Sequence, residues 1–146
     1  ATAGQKRFGA AVSEAKPDVI LLMQGANDLN AARDQQVNAA ITAAVSALEE
    51  MVKEAERRRI PIMVATLPPQ RPPKGAPANY LARLNDAIKV MAAKKGGILV
   101  DVHALMPESL VGQDGLHPSE NGYQRVAEIF ADAIRAKYEA PAAPAP

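Results

Sequence analysis

Two residues that together could move a proton, Asp114 and His117, lie three positions apart in the segment 114–119. A carboxylate that accepts the Nδ1 proton of a histidine fixes the tautomer of the imidazole and leaves Nε2 free as a base. In nucleophilic catalysis this pair supplies the base and its orienting group, and a separate side chain supplies the nucleophile. Asp114 and His117 are therefore candidates for a catalytic pair in a turn that opens the last predicted helix.

The same residues have simpler interpretations. A histidine in a turn that leads into a helix is common, so the pair could be purely structural. A metal site formed by Asp28, His103, Asp114 and His117 is a further alternative, but these residues do not follow a recognised ligand spacing. We therefore expect no metal and no cofactor. His103, which follows the third predicted strand without an evident partner, is expected to have a surface or loop role.

The composition is that of an ordinary soluble globular protein of one domain. Of the 146 residues, 48% are hydrophobic and 23% are charged, and the formal net charge is +1. A charge this close to zero gives no support for binding to nucleic acid or to an anionic membrane surface, and no apolar run has the length of a membrane span. The chain has no cysteine, which excludes a disulfide framework and a thiolate nucleophile. Secreted, periplasmic and cytoplasmic locations all remain open.

Hydrophobic patterning predicts helices that alternate with three short buried strands. The predicted helices cover residues 3–15, a long stretch that ends near Arg58, residues 79–95 and residues 119–138. The predicted strands at 18–24, 60–66 and 98–102 are continuous apolar runs, which are typical of strands buried on both faces. Residues 67–77 form a proline-rich loop that either lines a substrate cleft or is a plain surface loop. The domain is thus expected to cover residues 1–138, and the Ala/Pro-rich tail at 139–146 is predicted to be disordered.

This alternation predicts an α/β fold with a parallel sheet and helices on both faces. Ligands of such sheets bind beyond the carboxyl ends of the strands. Asn27 and Asp28 follow the first predicted strand, and Asp114 and His117 follow the last. Both polar pairs should therefore lie at the same edge of the sheet, which predicts an active site there. The alternative for Asn27 and Asp28 is that they cap the following helix.

Two segments resemble conserved blocks of the SGNH, or GDSL, hydrolase family. The segment 18–29, which reads DVILLMQGANDL, resembles the third block of the family, Gly-x-Asn-Asp. The segment 114–118, which reads DGLHP and is followed by Gly122 and Tyr123, resembles the fifth block, Asp-x-x-His-Pro. The two blocks occur in the order of the family with two βα units between them. The resemblance extends over residues 3–138.

The resemblance implies a flavodoxin-like three-layer α/β/α sandwich, of which this chain holds the last three of five parallel strands. It also implies hydrolysis of a small-molecule ester or thioester. By position, His117 is the general base and Asp114 is its orienter. Asn27 is a side-chain donor to the oxyanion, Gly25 permits the tight backbone turn beside it, and Asp28 supports the same loop.

The first two blocks of the family are not found in this sequence. The first, Gly-Asp-Ser, carries the nucleophilic serine, and the second supplies a glycine whose N–H completes the oxyanion hole. None of the four serines (Ser13, Ser46, Ser109 and Ser119) lies in such a setting. Ser119 is better interpreted as a helix-start residue and Ser109 as a loop residue. We therefore expect the chain to be the C-terminal part of a hydrolase, inactive alone, with the nucleophile on a preceding segment.

The absence of the first strand would leave the strand at 18–24 with an unprotected apolar edge. We expect the chain to associate through this edge with an N-terminal complementing fragment or with itself, or else to be poorly stable alone. The alternative function is a non-catalytic α/β module that keeps the hydrolase scaffold for binding or assembly. A weaker alternative is a reaction in which the His–Asp pair activates water.

Overall fold

The computed structural model describes residues 1–139, which form six α-helices and three β-strands. The helices are α1 (Thr2–Ala15), α2 (Ala26–Asn30), α3 (Val37–Arg57), α4 (Ala78–Lys95), α5 (Val102–Leu105) and α6 (Glu120–Tyr138). The strands are β1 (Ile20–Leu22), β2 (Ile62–Ala65) and β3 (Ile98–Val100). The tail predicted to be disordered lies, from residue 140 onward, outside the described residues.

The three strands form one parallel sheet in the order β1-β2-β3. The prediction of an α/β fold with a parallel sheet is therefore confirmed. Each strand is shorter than the range predicted from its apolar run. After β2 the chain stays buried, since Leu67 lies beyond the end of the strand and is only 2% exposed. The prediction that the first strand is buried on both faces is wrong, because Leu21 in β1 is 47% exposed.

Helices cover both faces of the sheet and create two apolar clusters. All four residues of β2 are buried, as expected for a central strand with both faces covered. Ile62 and Val64 pack towards α3 and α4, while Met63 and Ala65 pack towards α6. Helix α1 packs against α3. The result is the three-layer arrangement, with the carboxyl ends of the strands free to carry loops.

The long helix predicted up to Arg58 is in fact two helices, which is a correction. The short helix α2 ends at Asn30, a 3₁₀ turn follows at Asp34–Gln36, and α3 begins at Val37. Arg33, between them, has extended backbone angles (φ −80°, ψ 158°), which interrupt the helix. The separation matters because it leaves α2 as a short unit of its own directly after β1. The short helix α5 was not predicted.

A buried amide on α4 fixes the path of the chain where it leaves β2. Asn85 is 2% exposed; its Oδ1 accepts the backbone N–H of Leu67 (2.8 Å) and its Nδ2 donates to the carbonyl of Leu67 (3.1 Å). The side chain thus satisfies both backbone groups of a buried residue, which no strand partner does at this point. Sequence reasoning missed Asn85; the available signal was an amide beside Leu84, in the apolar stripe of α4.

The substitution Asn85→Ala is expected to destabilise the fold by about 1–3 kcal/mol, because it leaves buried backbone groups without partners. Urea unfolding monitored by circular dichroism measures this change. The control is Asn121→Ala, at an exposed position of α6, which is expected to change the free energy of unfolding by less than about 0.5 kcal/mol. Equal effects of the two substitutions would contradict the role given to Asn85.

Candidate active site

The turn at 114–117 is built around the carboxylate of Asp114. Its Oδ1 accepts the backbone N–H groups of Leu116 and His117, each at 3.0 Å, and its Oδ2 lies 2.7 Å from Nδ1 of His117. One side chain therefore closes the turn and holds the imidazole. The His117 side chain is 62% exposed, and within residues 1–139 no hydrogen bond engages its Nε2.

These contacts also set the ionisation of Asp114. The hydrogen bond from the His117 ring, followed by those from the backbone N–H groups of His117 and Leu116, holds the pKa of Asp114 well below its usual range. Lys74 Nζ lies 3.9 Å from the same carboxylate. An ionised Asp114 accepts a proton on Nδ1 of His117, so Nε2 keeps its lone pair. The geometry is that of an oriented base.

The proline-rich loop at 67–77 packs directly on this turn. The backbone N–H of Arg71 donates to the carbonyl of Gly115 (2.8 Å), and that of Lys74 donates to the carbonyl of Asp114 (3.0 Å). The approach is so close that a Cβ on Gly115 would lie 1.9 Å from the Arg71 carbonyl oxygen. Gly115 also has a φ of +78°, a conformation that side chains other than glycine rarely adopt. Glycine is required here for both reasons.

A cavity of about 560 Å³ lies at the carboxyl edge of the sheet. It brings together Gly25, Asn27, Asp28 and His117, while Asp114 stands behind His117. The proline-rich loop contributes its first residues to the wall. The larger apolar residues of the lining are Met23, Leu67, Pro68, Leu116, Pro118 and Tyr123. The two segments that follow the first and last strands therefore share one concave site, as the topology requires.

Asn27 presents a free amide to this cavity. It lies in the first turn of α2, its side chain is exposed, and among the described residues no hydrogen bond engages that side chain. Gly25, just before the helix, has a φ of +128°, which only glycine adopts readily. This backbone turn carries the chain directly from β1 into α2, so that Asn27 faces the site.

Asp28 has a different partner from the one expected. It does not cap its own helix, which begins after Gly25; instead its carboxylate binds the start of α1. Oδ1 accepts from the backbone N–H of Thr2 (3.0 Å) and from its hydroxyl (2.5 Å), and Oδ2 contacts the nitrogen of Ala1. A carboxylate at a helix N-terminus is favourable because it meets the positive end of the dipole. Asp28 thus joins two walls of the cavity.

The remaining candidates lie away from the cavity. His103 does not line it; the backbone N–H of His103 donates to Thr66 Oγ1 (2.9 Å). Ser119 is the N-cap of α6, as predicted, since its hydroxyl oxygen accepts the backbone N–H of Gly122 (3.2 Å). No serine within residues 1–139 lines the cavity. In the same part of the chain, no group of three or more His, Cys, Asp or Glu side chains is placed to hold a metal ion.

The sequence matches a known protein family. The model of the GDSL-like lipase/acylhydrolase family matches residues 1–125. The chain belongs to this family. The resemblance stated from the two sequence blocks is therefore confirmed. No curated protein sequence matches this chain significantly.

Solved structures of lipases and esterases share the fold. The chain is similar to a lipase/acylhydrolase from Enterococcus faecalis, with 24% identity, a TM-score of 0.75, and coverage of 96% of this chain and 72% of that one. It is also similar to a GDSL-like lipase from Bacteroides thetaiotaomicron (19% identity, TM-score 0.72, 91% and 69% coverage). An acetylxylan esterase from Geobacillus stearothermophilus gives 22% identity, a TM-score of 0.72, and 90% and 66% coverage. The chain thus spans about two thirds of the length of these solved structures.

Within residues 1–139, no helix combines the length and the apolar character needed to cross a bilayer.

Two glycines with nearly the same positive φ test the contact between the loop and the turn. A Cβ added to Gly96 (φ +77°) would meet no atom within 4 Å, whereas a Cβ on Gly115 (φ +78°) would collide with the Arg71 carbonyl. Gly96→Ala is expected to cost only the backbone strain, about 1–2 kcal/mol, and Gly115→Ala is expected to cost more. Urea unfolding of the two variants measures the difference. Equal destabilisation would show that the contact at Gly115 is not tight.

The carboxyl carbon of Asp114, followed by NMR, is expected to titrate well below the usual range. His117→Ala removes the largest contribution, so the pKa of Asp114 should rise, although the two backbone hydrogen bonds keep it lowered in part. Since the folded-state pKa is depressed, this carboxylate stabilises the fold above its unfolded-state pKa of about 3.9, and the contribution is lost as the pH falls through the folded-state value. His103→Ala is the matched control and should leave the titration unchanged. An unshifted Asp114 in His117→Ala would contradict the contact.

Proposed function

We propose that the protein to which this chain belongs hydrolyses carboxylic esters or thioesters of small molecules by acyl transfer, with His117, Asp114 and Asn27 as site residues. The single observation that carries the proposal is that an oriented base and a free amide donor line the same cavity. The family is named for lipases and acylhydrolases, which supports the reaction class.

In this mechanism His117 is the general base. Its Nε2 removes the proton from the attacking hydroxyl and then passes it to the leaving alcohol or thiol. The 2.7 Å contact of Nδ1 with Asp114 supports this role, because it fixes the tautomer and the plane of the ring. The ionised carboxylate also stabilises the imidazolium that forms when Nε2 takes up the proton.

Asn27 donates its side-chain N–H to the oxyanion of the tetrahedral intermediate. Its amide lines the cavity and is not engaged by another described residue, so it is available to a ligand. A preorganised donor of this kind stabilises charge that develops only as the reaction proceeds. Gly25 permits the backbone turn before Asn27 through its positive φ, and Asp28 supports the part of the wall formed by the start of α1 through Thr2.

The nucleophile in this proposal is a serine that lies outside the 146 residues. No serine lines the cavity within residues 1–139. Two structures of the Geobacillus stearothermophilus acetylxylan esterase are catalytic mutants, in which a serine or a histidine is replaced by alanine. We infer that the serine-bearing segment pairs along the free side of β1. This strand is at one end of the sheet, and its Leu21 is 47% exposed.

The second candidate function is a non-catalytic α/β module that keeps this scaffold for binding or assembly. The absence of a serine from the cavity within residues 1–139 and the open side of β1 favour it. Under this alternative, the chain associates through β1 with a partner or with a second copy, and ester turnover is absent from the full gene product. An open strand side provides the backbone donors and acceptors for such pairing.

Turnover of a short-chain p-nitrophenyl ester by the product of the full coding sequence tests the proposal. His117→Ala is expected to abolish turnover, and Asp114→Asn is expected to lower kcat by about 10⁴-fold, as in serine-protease triads. Asn27→Ala is expected to raise the barrier by about 2.7–4 kcal/mol, the range for the loss of one oxyanion donor. The 146-residue chain alone is expected to be inactive.

The matched controls are His103→Ala, Asp132→Asn and Asn121→Ala, which change the same residue types away from the cavity. They should keep nearly full turnover. Near-normal activity of His117→Ala would refute the assignment of the base. An inactive full-length protein in which the 146-residue chain forms dimers through β1, measured by analytical ultracentrifugation, would favour the assembly module instead.

A further inference from the structure

We propose that the segment 70–76 is a bridge that sets the spacing between Asn27 and His117, with Arg71 and Asn30 as its positioning residues. This inference rests on the proposed function, because the spacing matters only if the two side chains act on one substrate. The segment is the second half of the proline-rich loop, and it touches the turn at 114–117 on one side and α2 on the other.

Arg71 forms hydrogen bonds to the turn and to the residues just before it through both its main chain and its side chain. Its backbone N–H donates to the Gly115 carbonyl (2.8 Å), and its Nη2 donates to the carbonyls of Val111 (3.3 Å) and Gly112 (3.0 Å). These three acceptors lie on both sides of Gln113 and Asp114. Among the described residues Arg71 has no carboxylate partner, so its guanidinium serves the turn alone. Arginine suits this task because its planar fork holds several donors in fixed directions.

The other end of the bridge reaches the helix that carries Asn27. Asn30 Nδ2 donates to the Lys74 carbonyl (3.0 Å), and the Lys74 backbone N–H donates to the Asp114 carbonyl (3.0 Å). Asn30 and Asn27 are three residues apart in α2, which places them on neighbouring turns of one face. A continuous path of hydrogen bonds thus runs from α2 through the main chain of Lys74 to Asp114.

Contacts within the segment make the bridge stiff. The buried Gln70 closes it, since its Oε1 accepts the backbone N–H of Ala76 (2.8 Å). The Gly75 N–H donates to the Arg71 carbonyl (3.0 Å), and a Cβ on Gly75 would lie 2.5 Å from the backbone of Arg71. Because these contacts close the segment, a displacement at one of its ends also displaces the other end. A mobile loop would not couple the two ends in this way.

The expected consequence is a loss of rate with little loss of binding. Neither Arg71 nor Asn30 lines the cavity, so neither is expected to contact the substrate. Releasing either anchor moves the base relative to the oxyanion donor, and misplacement by about 1 Å can cost about 10²-fold in rate. Arg71 and Asn30 are therefore expected to affect kcat through the positions of His117 and Asn27, whereas KM should change little.

The test compares Arg71→Ala, Arg71→Lys and Asn30→Ala with the control Arg83→Ala. Arg83 is an arginine of α4 whose side chain binds Asn38, away from the cavity. In the full gene product, Arg71→Ala and Asn30→Ala are expected to lower kcat by about 10- to 100-fold with KM nearly unchanged. Arg71→Lys should recover part of the rate, because lysine retains a donor, and Arg83→Ala should keep the full rate.

A second readout needs no catalysis. In the full gene product, the pKa of Asp114, followed by carboxyl NMR, is expected to rise in Arg71→Ala, because a loosened turn weakens the hydrogen bonds from His117 and Leu116 that lower it. The pKa should return partly in Arg71→Lys and stay constant in Arg83→Ala. Unchanged kcat and an unchanged Asp114 titration in Arg71→Ala would overturn the bridge, as would equal effects in Arg83→Ala. If Arg71→Ala does not fold, Arg71→Lys and Asn30→Ala decide by the same criteria. If the unsubstituted full-length protein has no ester turnover, the proposed function fails, and the Asp114 titration alone decides whether Arg71 positions the turn.

Discussion

The rest of the site depends on the hydrogen bonds that the carboxylate of Asp114 accepts. One of its oxygens closes the turn through two backbone N–H groups, and the other holds the ring of His117. The direction of the imidazole and the shape of the turn therefore have the same cause. Because the same hydrogen bonds keep the pKa of Asp114 low, the group that orients the ring also remains negatively charged. Orientation and charge cannot be changed independently here.

The parallel sheet supplies the second half of the site by topology. Both β1 and β3 run towards the same edge, so the topology brings the segments that follow them to one side of the sheet. The short helix α2 begins at Gly25 and places Asn27 at this edge, and Asp28 ties the same helix to the start of α1. The proline-rich loop completes the wall through Leu67, which Asn85 holds from α4. The cavity therefore lies at the edge of the sheet where the topology predicts a ligand site.

Sequence reasoning succeeded where the determinants are local or periodic. The strands and the main helices follow from apolar runs and helical spacing, and the turn at Asp114 follows from a separation of only three residues. It failed where a side chain binds backbone far away in the sequence. Asn85 and Leu67 are 18 residues apart, and Asp28 and Thr2 are 26 apart. Such contacts have no period and no motif, so from the sequence Asp28 can only be interpreted locally, as a loop residue or as a possible cap of the following helix. The break in the long predicted helix at Arg33 could not be predicted from the sequence either, because no proline or glycine marks it.

The most direct test of ester hydrolysis through His117 is covalent labelling of the full gene product with a fluorophosphonate, followed by peptide mass spectrometry. This reagent reacts with a serine only when a neighbouring base activates its hydroxyl. The expected result is one adduct on a serine outside the 146 residues, present in the unsubstituted protein and absent from His117→Ala. Labelling that persists in His117→Ala, or an adduct on Ser13, Ser46, Ser109 or Ser119, would contradict the assignment of His117 as the base that activates an external serine.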